Sequence, residues 1–84
     1  MIDRYAAYID ALRARADLFR EAASAIDAEI AVHAEVHAGG RGICDLTPGE
    51  QLAQTTARWR TYDALAQDAS VCRTGDRLVR EMAR

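Results

Sequence analysis

The sequence predicts an all-α fold: a long antiparallel helical hairpin of coiled-coil character that pairs with a second copy into a four-helix bundle. Three observations point there. Ile2, Tyr5, Ile9, Leu12, Ala16, Phe19, Ala23, Ile26, Ile30, His33 and His37 recur at alternating steps of three and four, with no Pro or Gly before Gly39. A glycine-rich stretch then interrupts the run, and Thr47-Pro48-Gly49-Glu50 restarts it. Outside these stripes, Tyr8, Leu18, Val32, Val36, Leu65 and Val71 add apolar width that a two-stranded coil does not use.

The first helix is expected over residues 2–38, roughly 54 Å long at the usual rise. Asp3, Asp10 and Asp17 repeat at sevens outside the seam, and Arg13 and Arg20 follow Asp10 and Asp17 by three. Such i,i+3 pairs mark a solvated face and contribute a few tenths of a kcal/mol each. The flanks turn from basic (Arg13, Arg15, Arg20) to acidic (Asp27, Glu29), a pattern that sets register and direction. Ala16 and Ala23 in the stripe let a neighbouring helix approach closely.

Residues 39–46 form the expected loop, with Gly39 placed as the glycine that ends the first helix. Thr47 can cap the second helix, Pro48 suits its first position, and Glu50 can close a capping box. That helix is expected over 48–73, with Leu52, Thr55, Trp59, Tyr62, Ala66 and Ala69 along its seam. The same rhythm continued would bury Arg73, Asp76 and Arg80, so a break near Gly75 and a short third helix over 76–83 are expected, one continuous helix being the alternative. Folding back about the loop would place Ile26 against Tyr62, Phe19 against Ala69, and Ile9 against Val79, with Phe19, Trp59 and Tyr62 in the core.

At 84 residues the chain is one domain, and much of its 50% apolar content is alanine, so stability must come from long, close helix contacts and from a homodimer. All eleven basic residues are Arg, and neither Lys nor Asn occurs, a bias that suggests a GC-rich bacterial or phage genome. A net charge of −2 argues against a protein that coats nucleic acid. Residues 1–38 carry four Arg against seven acids and residues 39–84 seven Arg against six, which mildly favours antiparallel packing. Neither a secretory leader pattern nor a membrane-spanning apolar run is seen, so a soluble protein of the cytoplasm, or of a host's cytoplasm, is expected.

For chemistry, the sharpest hint is His33 and His37, four apart on one helical face, with Cys44 and Asp45 in the adjoining loop. That spacing can bind zinc, and a metal-binding helical module is the second functional reading. The zinc-protease pattern is excluded because Glu35 does not directly follow the first His. Cys44 and Cys72 would stand roughly 36 Å apart in a hairpin, beyond disulfide reach. Trp59 flanked by Arg58 and Arg60 has the composition of a binding hot spot, and Arg77 and Arg80 belong to a basic helix end suited to an acidic partner. In size the chain resembles the secreted WXG-type hairpins, but its loop has no Trp. Its length and Arg content are similar to the small all-helical chorismate mutases, whose active sites use the Lys that this chain lacks.

These residues predict a non-enzymatic interaction module without a cofactor, an adaptor or inhibitor that binds itself and another protein. A third reading is a regulator of a nucleic-acid-handling protein.

Overall fold

A computed structural model of the chain describes residues 3–84. Two helices, α1 (Arg4–Ala38) and α2 (Pro48–Met82), run antiparallel and are joined through a 3-10 turn, Ile43–Asp45. No strand occurs among the described residues. The hairpin measures 60 × 17 × 15 Å, and its radius of gyration is 18.5 Å, against about 12 Å for a compact domain of this length. The expected first stripe position, Ile2, and the expected helix start there lie outside the described residues.

The helix ends follow the local sequence. Asp3 caps α1 by accepting a hydrogen bond from the Ala6 amide at 3.1 Å. At its other end the Arg41 amide donates to the Val36 carbonyl and the Gly40 amide to that of His37, the double bond of a Schellman motif. The left-handed residue there is Gly40, at φ 71°, while Gly39 keeps a negative φ as the C-cap. The expected terminating glycine is therefore displaced by one residue. At α2 the capping box forms as expected: Glu50 Oε1 accepts from the Thr47 amide and Thr47 Oγ1 from the Glu50 amide, with Pro48 opening the helix.

Arg41 locks the loop. Its guanidinium donates to both Glu50 oxygens at 2.7 and 2.8 Å and to the Asp45 carbonyl at 3.2 Å, while Asp45 accepts from the Gly42 amide. The Arg41 hydrogen bonds, joined by the Thr47 amide, lower the Glu50 carboxyl from 4.5 to about 2. A carboxyl lowered on folding stabilises fully above its unfolded value and loses that contribution as pH falls toward the folded one. The melting temperature is therefore expected to drop between pH 4.5 and about 2, and Arg41→Gln should make that drop shallower, as followed by circular dichroism.

The helices do not meet along the expected stripes. The contact seam runs Tyr8, Ala11, Arg15, Leu18, Ala22, Ala25, Glu29, Val32 and Val36 in α1, and Gln54, Ala57, Thr61, Ala64, Asp68, Val71, Gly75, Leu78 and Met82 in α2. Every one of these residues is buried or half-buried. Both series alternate steps of three and four without interruption, the coiled-coil repeat. Ala22, Ala25, Val36, Ala57, Ala64 and Leu78 form the buried apolar core, and the buried Thr61 hydroxyl donates to the Ala57 carbonyl. Small side chains dominate the middle of the seam because two helix backbones can approach closely only where neither carries a bulky group.

The expected core placement of Phe19, Trp59 and Tyr62 is thus corrected: Phe19 is 49% exposed, Trp59 68%, and Tyr62 is also exposed. Opposing residues sum to 83 rather than 88, as in Tyr8 against Gly75 and Arg15 against Asp68. The expected break at Gly75 and the third helix over 76–83 are overturned as well, because α2 runs unbroken to Met82. Along the small-residue seam no phase change exists. Gly75 is a seam position tucked against the Tyr8 ring. A Cβ built there would meet Tyr8 Cε2 at 3.6 Å, ordinary contact, so Gly75→Ala is expected to stabilise by roughly 0.5–1 kcal/mol through helix propensity. Chemical denaturation reads this directly, and a loss of stability would show that the seam there is tighter than its geometry.

Four ion pairs fix the register across the helices: Arg4 with Glu81, Arg15 with Asp68, Glu29 with Arg58, and Glu21 with Arg60. Arg15 and Asp68 are the least solvated of these, with Asp68 only 13% exposed, and Arg15 also stands 5.9 Å over the Phe19 ring. The expected pairs Asp10–Arg13 and Asp17–Arg20 form, fully in solvent, where their contribution is small.

Candidate functional site

With the seam filled by small residues, most large apolar side chains remain outside it. Tyr5, Leu12, Phe19, Ile26 and Ile30 of α1 and Leu52, Trp59, Tyr62, Leu65 and Val79 of α2 are all exposed. Their heptad positions place eight of them on one flank and set Leu52 and Trp59 beyond its margin. When the seam supplies positions a and d, Tyr5, Leu12, Phe19 and Ile26 occupy e and Ile30 occupies b. In α2 Leu65 and Val79 occupy e, Tyr62 b, and Leu52 and Trp59 f. In an antiparallel hairpin the e flanks adjoin, and Leu12 and Cys72, both e residues, line one shallow depression with Tyr8 and Gly75. The opposite flank carries the Glu21–Arg60 bond together with Glu35, Arg77 and Glu81, and otherwise Ala, Asp, Ser, Thr and Gln. The hairpin therefore has one broad apolar face and one polar face.

The sequence-predicted site residues distribute unevenly over this surface. His33 and His37 lie on the apolar face at its loop end, in an open concavity lined with Ile26, Glu29, Ile30 and Ala34. His33 Nε2 is 4.0 Å from Glu29 Oε2. Cys44 is a free, exposed thiol in the 3-10 turn, and Cys72 is a half-buried free thiol. Among the described residues no group of three or more His, Cys, Asp or Glu side chains is arranged to hold a metal ion. Trp59 is exposed beyond the margin of the face, whereas its neighbours Arg58 and Arg60 are engaged within the chain by Glu29 and Glu21. Arg77 lies 3.9 Å from Glu81, and Arg80 sits exposed in the last turn of α2.

The face is the feature that size-weighted reading misplaced. Its residues are legible as a stripe that the sequence presents as the hairpin's own seam, and the structure turns that stripe outward. The signal that separates the two is the second unbroken repeat of small residues beside it.

The fold and its surface define a helical hairpin with a small-residue interior seam and a large-residue outer face. No family model matches the chain, and no curated protein or solved structure is significantly similar to it. No helix among the described residues is long and apolar enough to cross a membrane.

Proposed function

We propose that the protein is a protein–protein interaction module, an adaptor or small inhibitor of bacterial or phage origin, that works by burying its apolar face against another protein surface. The observation that supports this reading is the gathering of eight large exposed apolar residues on one side of the hairpin, with Leu52 and Trp59 beyond its margin on the back of α2. Contiguous apolar surface of that extent marks an interaction site, and the Tyr residues within it are of a type that dominates binding energy. The ion pairs of Arg58 and Arg60 hold α2 in register and so present Trp59 and Tyr62 at fixed positions.

Site-specific photocrosslinking in bacterial cells that make the protein tests the face directly. A benzophenone side chain at Phe19 or Tyr62 is expected to give adducts, while one at Ser24 or Asp63, on the polar face, gives few. Adducts from the polar positions alone would sink the reading.

A further inference from the structure

We propose that the apolar face is covered by a second copy of this chain, laid face to face and antiparallel, so that two hairpins form a four-helix bundle with their loops at opposite ends. The proposal rests on the face being an interaction surface and names its occupant. Area points to a copy. The chain exposes 6127 Å², whereas a compact monomer of 9.2 kDa exposes about 4,900 Å². The excess, about 1,200 Å², exceeds the roughly 800 Å² per partner that a stable interface buries. The 60 × 17 Å outline of the hairpin offers a footprint of about 1,000 Å², enough for that contact if most of the length overlaps.

The hairpin's own core also needs a complement. Among the described residues no large side chain in it is fully buried, and the buried apolar ones are four Ala, one Val and one Leu. Folding of one copy alone leaves its heaviest apolar groups in water. A two-fold partner covers them with an identical set, and Ala16, Ala23 and Ala69 on the same flank supply hollows between Leu12, Phe19, Ile26, Tyr62 and Leu65.

Charge selects the antiparallel arrangement. The end that carries the chain termini, residues 1–20 with 65–84, holds eight Arg against six acids, a net of +2. The loop half, residues 21–64, holds three Arg against seven acids, a net of −4, and the two together give the −2 of the whole chain. Antiparallel stacking sets each positive half against a negative half, while parallel stacking sets like against like.

Three measurements test this. Isotopically heavy and light protein, mixed at micromolar concentration and examined by native mass spectrometry, is expected to give mixed species of twice 9.2 kDa. Spin labels on Cys44 in a Cys72→Ala background should lie at a separation close to the 60 Å length of the hairpin. Labels within about 20 Å of each other, as adjacent helices in a parallel bundle would place them, would overturn the arrangement. Tyr62→Ala should weaken the dimer at least tenfold, and Asp63→Ala, one residue away on the polar face, by less than about twofold. Equal effects of those two substitutions would overturn the choice of face. A monomer at all accessible concentrations that still crosslinks through Tyr62 to a different protein would overturn the second-copy proposal and leave the interaction face intact.

Discussion

Leucine in place of Ala25 is expected to cost the fold about 1–3 kcal/mol, more than the loss of most large apolar residues outside the seam would cost the hairpin itself. Ala25 is 0% exposed and sits in the middle of the seam, between Ala22 and the Glu29–Val32 layers and opposite a stretch of α2 built from Ala57, Thr61 and Ala64. A leucine there has no hollow to enter, so the helices must separate or the side chain must leave its preferred rotamers. Separation would also lengthen the Glu21–Arg60 and Glu29–Arg58 bonds on either side. Urea denaturation of Ala25→Leu beside Ala31→Leu measures the effect. Ala31 is exposed on the polar side, so its substitution should leave the hairpin's packing intact. If Ala31→Leu proved the more damaging of the two, the seam would have to be reassigned.

The sequence holds two interleaved repeats in each helix, both with alternating steps of three and four, and nothing in periodicity alone says which repeat faces the partner helix. Ranking them by side-chain size chose the stripe of Leu12, Phe19, Ile26, Trp59 and Tyr62. Within one hairpin, however, backbone approach decides, and the small series Ala22, Ala25, Ala57, Thr61 and Ala64 permits the tighter contact. The same choice produced the spurious phase change at Gly75, since Arg73, Asp76 and Arg80 fall on the continuation of the large stripe and none of them on the small one. The end of the first helix within the glycine-rich stretch and the capping box at Thr47 were legible because each depends on neighbours within four residues. The Arg41–Glu50 clamp was not, because it spans nine residues across a loop whose path no local pattern specifies.

The register of the ion pairs explains why the small seam is specified at all. Alanine layers slide past one another at little cost, and a slip of one heptad would leave most of them packed. Arg15–Asp68 and Arg4–Glu81 toward the open end, with Glu21–Arg60 and Glu29–Arg58 nearer the loop, would all be broken by that slip. Exposed pairs contribute little stability singly, but together they discriminate between registers whose apolar contacts are nearly equal.

Alanine in place of Leu78 is expected to destabilise by about 2–3 kcal/mol, at the lower end of the range for buried leucines. Leu78 is the one bulky aliphatic residue among the buried core positions of α2, at 7% exposure, one seam step beyond Gly75. Gly75 leaves room that the Tyr8 ring fills, and Leu78 closes the next layer toward the open end of the hairpin. Truncation there removes the apolar mass that holds the two ends of the chain together, and Arg4–Glu81 alone is too solvated to replace it. The cost stays at the lower end because an open end can collapse around a void more readily than the alanine-rich middle. Amide exchange locates the effect. Protection should fall first in residues 4–11 and 75–82, while the segment around Ala25 and Ala57 keeps its protection. A uniform loss along both helices would show instead that the hairpin opens as a single unit and that no end of it is held separately.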